Sequence, residues 1–99
     1  MAYYDLEKVR GIVKESTGLN IMYAYDDLVF PEHAAFIIQY DKDDENHLHC
    51  YFHKDCIPAE KDKIFSDLTK SCFKVMITIQ KNGTFELKQK GGEVEIRFL

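Results

Sequence analysis

From His47 to His53 the chain reads His-Leu-His-Cys-Tyr-Phe-His. Leu48, Cys50 and Phe52 alternate with His47, His49, Tyr51 and His53. Successive side chains of a β-strand point to opposite faces, so the alternation predicts a strand with one apolar face and one face of imidazoles and a phenol. The apolar face needs a second layer to cover it. The other face is the most unusual surface chemistry in the chain.

The preceding stretch fixes how this strand pairs. Over 34–41, Phe36, Ile38 and Tyr40 alternate with Ala35, Ile37, Gln39 and Asp41, and the polar turn Lys42-Asp43-Asp44-Glu45 follows. A one-residue slip turns a strand over, so register is set by matching apolar positions. Pairing Asp41 with His47 places Phe36, Ile38 and Tyr40 on the face of Leu48, Cys50 and Phe52. The same pairing places Asp41 and Gln39 beside His47 and His49.

The remaining segments supply the cover. Leu6, Val9, Ile12, Val13 and Ser16 fall at helical spacing over 5–16, with Gly18 just past the end. Residues 20–30 are extended, interrupted at Asp26-Asp27 by a bulge or a turn, and Pro31 ends them. Pro58 opens a second helix over 58–71, with Ile57, Lys61, Ile64, Phe65, Leu68 and Cys72 on one stripe. A meander is expected beyond it. Phe73, Val75, Ile77 and Ile79 face inward on one strand, and the loop Lys81-Asn82-Gly83 pairs Ile79 with Phe85. A Gly91-Gly92 turn then pairs Leu87 with Ile96 and Phe85 with Phe98. The expected fold is α+β in the order α-β-β-β-α-β-β-β: a two-layer sandwich, two helices packed on one face of a mainly antiparallel sheet. At 99 residues this is a single globular domain, 1–99.

Composition narrows the function classes. The net charge of −4 lacks a basic stripe, because Glu86, Glu93 and Glu95 dilute Lys70, Lys74, Lys81, Lys88 and Lys90, so no nucleic-acid partner is expected. No run approaches the ~20 apolar residues of a membrane span, so no membrane is expected either. The N-terminus lacks the basic start and apolar run of a signal peptide, and Cys50, Cys56 and Cys72 are odd in number. Reduced thiols in the cytoplasm fit this pattern. Without a CxxC spacing, a structural zinc site built on cysteine has little support.

Three chemistries can be placed on the histidine strand or just past its end. The first is a divalent transition-metal site. His47 and His49, two apart, project to one side about 6.5–7 Å apart at Cα, and Asp41 supplies a carboxylate. The second is a pH-sensitive surface of clustered imidazoles. The third is a Cys56 nucleophile at the start of the second helix, three residues from His53. The acidic run Asp41, Asp43, Asp44, Glu45 lacks the ordered spacing of a calcium loop and reads as a solvated turn. Tyr3, Tyr4, Tyr23, Tyr25, Tyr40 and Tyr51 offer apolar area with a polar tip. There is no Gly-rich phosphate loop, nucleophile elbow or HExxH.

The leading expectation is a non-enzymatic protein-interaction or self-associating module that takes a protein partner or forms a homodimer. Its interface candidates are Ile37, Gln39, Tyr51 and His53 on the uncovered sheet face, and the last strand is a candidate edge for strand addition. The alternative is a metal-binding protein or metal-dependent enzyme using Asp41, His47 and His49. In its order of elements the chain is similar to small bacterial secretion-chaperone-like domains, although it lacks their usual C-terminal helix. That likeness implies a protein-binding role.

Overall fold

The structure, a computed structural model, describes residues 6–99. It contains α1 (Leu6–Thr17), β1 (Ile21–Tyr25), β2 (Leu28–Pro31), a short 3-10 turn (Glu32–Ala34), β3 (Phe36–Tyr40), β4 (His47–His53), α2 (Pro58–Lys74), β5 (Thr78–Lys90) and β6 (Glu93–Phe98). Asp5, Tyr3 and Tyr4 lie outside the described residues. The class is α+β with a mainly antiparallel sheet of six strands in sequence order, β1 and β6 forming its edges. No helix among the described residues is long and apolar enough to cross a membrane.

Most of the register follows the apolar pattern. β3 and β4 pair Tyr40 with Leu48, Ile38 with Cys50 and Phe36 with Phe52. β5 and β6 pair Phe85 with Phe98 and Leu87 with Ile96 across Gly91 and Gly92. Those glycines have φ of 58° and 89°, the left-handed values that a tight two-residue hairpin demands. Asp26-Asp27 is a turn rather than a bulge. It joins β1 to β2, and Asp26 takes φ 55°, a region aspartate tolerates better than most residues.

The order departs from expectation at two places and becomes α-β-β-β-β-α-β-β. The extended stretch before Pro31 is two strands, and the first hairpin of the expected meander does not form. α2 runs on to Lys74, so Phe73 is helical and 83% exposed rather than an inward strand residue. The chain then re-enters the sheet beside β4 and parallel to it, pairing His47 with Thr78, Leu48 with Ile79 and His49 with Gln80. A parallel neighbour needs a long crossover, and α2 between β4 and β5 provides one. Lys81-Asn82-Gly83 is therefore not a hairpin loop. The pairing steps from Cys50–Lys81 to Phe52–Thr84, so Asn82 and Gly83 form a bulge opposite Tyr51 inside one long strand. A Cβ at Gly83 would stand 3.0 Å from the Leu99 carbonyl oxygen, a tight contact that glycine avoids.

Both helices feed one apolar cluster. Val9, Ile12 and Val13 of α1 and Leu68 and Cys72 of α2 meet Phe36, Ile38, Leu48, Cys50 and Phe52 of the sheet. The opposite sheet face is less open than its sequence implies. Ile37, expected on an exposed interface, is 0% exposed, as is Phe85, and neither belongs to the helix-side cluster. Ile37 pairs with Tyr51, and Phe85 pairs with both His53 and Phe98. The Tyr51 and Phe98 rings lie 4.7 Å apart. The sheet curls enough that Met22, Tyr23 and Phe30 near one edge line the same cleft of about 340 Å³ as Leu87, Val94 and Ile96 near the other. Curling turns the second face inward and buries a smaller apolar cluster there.

The buried thiols add a pH dependence. Burial pushes Cys50 from the ordinary 9.0 up to about 12 and Cys72 up to about 11. A thiol whose pKa is raised by folding keeps its contribution below the unfolded value, and that contribution fades as pH climbs towards the folded one. Stability is thus expected to fall between pH 9 and 11 at up to about 1.4 kcal/mol per pH unit for each thiol. Urea unfolding across that window measures the slope. The paired changes Cys50→Val and Cys72→Val should flatten it, and an unaltered slope would assign the loss to other groups.

Candidate metal centre

The β3–β4 register builds the site. It brings Asp41, just past β3, beside His47, with the Asp41 N–H 3.3 Å from the His47 carbonyl. Asp41 Oδ1 accepts the N–H groups of Asp43 at 2.8 Å and Asp44 at 3.1 Å, an Asx turn that orients the carboxyl. Its Oδ2 lies 2.9 Å from His49 Nε2. The Asp43 N–H first, and the His49 contact second, hold the Asp41 carboxyl below its ordinary range. The carboxyl is therefore an anion and acts as a pure acceptor, so Nε2 is the protonated nitrogen of His49.

His47 is held from its other side. Its Nδ1 is 2.6 Å from Thr78 Oγ1, and the Thr78 hydroxyl donates to the Asn46 carbonyl at 3.4 Å. Nδ1 is then the donor to Thr78, which leaves the Nε2 lone pair of His47 free to bind. The two imidazoles stand edge to face, 4.8 Å between centroids. One ligand atom each from Asp41, His47 and His49 lies within 4.8 Å of the others, and all three residues are half-buried. Two donors on one tetrahedral zinc sit about 3.3 Å apart, so side-chain shifts of up to about 1.5 Å close the set.

A hydrogen-bonded chain flanks the site. Asn82 Nδ2 lies 3.0 Å from His49 Nδ1 and donates to the Tyr51 hydroxyl at 3.2 Å. Tyr51 donates to Gln39 Oε1 at 2.9 Å, and Gln39 Nε2 donates to Asp27 Oδ2 at 3.0 Å. The structure thus brings Asp41, His47, His49, Tyr51 and Gln39 together. It adds Asn82, Thr78 and Asp27, which the sequence reading passed over. Their signal was the β4–β5 pairing: Thr78 stands beside His47, and the bulge sets Asn82 beside Tyr51.

Other candidates stand apart. His53 Nδ1 accepts the Asp55 N–H at 3.1 Å, and its ring packs edge-on against Phe85. The nucleophile reading of Cys56 meets the wrong electrostatics, since burial first and Glu60 second push its thiol up rather than down. Asp43, Asp44 and Glu45 are exposed, as a solvated turn requires. The likeness to secretion-chaperone-like domains rested on three strands before the second helix, and the structure has four before it and two after. Comparison with protein-family models, with curated proteins and with solved structures found no match to this chain.

Proposed function

We propose that this protein binds a divalent transition-metal ion, zinc in the first place, through Asp41, His47 and His49. One observation carries the reading: three ligand atoms of suitable type converge within 4.8 Å, drawn from β4 and the turn before it. Support comes from the surroundings. Metal-binding histidines commonly donate their far N–H to an oxygen, and His47 does so to Thr78 Oγ1. Two imidazoles and one carboxylate leave positions for water, the donor set of zinc and non-haem iron sites. The unpaired thiols Cys50, Cys56 and Cys72 suit a reducing compartment and so support the cytoplasmic reading.

Zinc titration by calorimetry should show one equivalent bound per chain. At free zinc a hundredfold above the dissociation constant, binding should raise unfolding free energy by about 2.7 kcal/mol. The His47→Ala variant should lose both effects. A wild-type protein that neither takes up zinc nor gains stability ends the proposal.

A second reading, protein association, has its own observation. Phe73, in the last turn of α2, is 83% exposed, and Met76, just past the Val75 cap, is 88% exposed. Large apolar side chains at such exposure, three residues apart in the chain, suit an association surface. Sedimentation across a concentration series should then show self-association that Phe73→Ser with Met76→Ser abolishes. A monomer throughout removes self-association.

A further inference from the structure

We propose that Asn82 sets the metal affinity of this site by holding His49 in the tautomer that excludes the ion. The inference rests on the metal reading above and extends it to a residue that is not a ligand. The orientation of a side-chain amide is inferred from its hydrogen bonds, and here both ends of the chain agree. At one end the Asp27 carboxylate accepts, so Gln39 must present its NH2 there and its oxygen to Tyr51. Tyr51 then donates to Gln39 and needs a donor behind it, which is Asn82 Nδ2. At the other end the Asp41 carboxylate takes the proton of His49 Nε2, so Nδ1 carries a lone pair and also needs a donor. The two hydrogens of one NH2 group serve both needs. Every donor points outward from Asn82, and the chain closes on carboxylates at each end.

A metal ion at His49 Nε2 breaks this pattern. The proton leaves Nε2 for solvent and solvent supplies one to Nδ1, so the exchange moves no net charge. Nδ1–H then faces the Asn82 NH2 across 3.0 Å, donor against donor. Turning the Asn82 amide over supplies its oxygen to Nδ1–H. That oxygen also meets Tyr51, whose hydrogen is committed to Gln39. Tyr51 must then donate to Asn82, Gln39 must turn, and its oxygen is driven against Asp27. One hydrogen bond in the chain is lost whichever step gives way. Asn82 is therefore a positioning residue that weakens metal binding, and Tyr51 transmits the cost.

The test is calorimetric zinc titration at about pH 8 combined with 15N spectra of the imidazoles. Wild-type protein without zinc should show His49 protonated at Nε2, and zinc should move the proton to Nδ1. Asn82→Asp places a carboxylate that accepts from both Nδ1–H and Tyr51. It should tighten zinc about 10–100-fold, the usual size of such outer contacts, and should protonate Nδ1 even without metal. Tyr51→Phe removes the opposing oxygen and should tighten zinc roughly fivefold. Should wild type bind zinc while Asn82→Asp binds no more tightly, or should the zinc-free ring carry its proton on Nδ1, the role of Asn82 is refuted and the metal site stands. If neither protein takes up zinc, both proposals fall.

Discussion

Replacing Phe85 by alanine is expected to cost about 3–5 kcal/mol of stability, as much as a large truncation in the helix-side core. Phe85 is 0% exposed, yet it lies on the sheet face that the helices do not cover. Its ring meets the His53 ring edge-on at 5.3 Å, and it pairs with Phe98 of β6. The deletion leaves a void, because the curl of the sheet fixes the surrounding walls. A domain of this size has about 5–15 kcal/mol in total, so the variant should sit close to unfolding. Leu87→Ala is the internal comparison. Leu87 lies two residues on, at 36% exposure, and should cost about 1 kcal/mol. Urea unfolding of both variants measures the contrast, and equal small losses would mean that this face is not a second core.

His49→Ala separates structural from metal-binding roles of the same ring. Without metal, the ring bridges Asp41 and Asn82 at a half-buried position, so its loss should lower stability by only about 1–2 kcal/mol. Zinc affinity should fall by at least about a hundredfold, more than the loss of an outer contact produces. The two effects are read in one set of zinc titrations and melts. A stability loss with unchanged zinc affinity would return His49 to a structural role.

The parts of the fold that were legible share one property: each was fixed by matching apolar residues across a short turn. The β3–β4 register followed from Phe36, Ile38 and Tyr40 facing Leu48, Cys50 and Phe52, and it placed Asp41 with the histidines. The β5–β6 register followed from Gly91-Gly92. What was missed came from pairing distant in sequence. Lys81-Asn82-Gly83 has the composition of a hairpin loop, and the apolar pattern on either side fits a hairpin. The parallel pairing of β5 with β4 overrides that local signal, because a strand returning from a crossover helix can run beside the strand before it. Asn82 and Thr78 were hidden for that reason. Ile37 was misplaced for another. Alternation gives the face of a side chain but not whether a curled sheet covers that face. Phe73 was lost because the residues at the end of α2 satisfy strand and helix patterns equally, and the helix continues until Val75 caps it.

X-ray absorption of the zinc-loaded protein reads directly whether Asp41, His47 and His49 hold the ion. The spectrum should show a shell of nitrogen and oxygen at about 2.0–2.1 Å, with imidazole scattering from two rings. A sulfur contribution at about 2.3 Å would place the metal on a cysteine, and a protein that retains no zinc would leave Asp41, His47 and His49 as a hydrogen-bonded cluster without a metal.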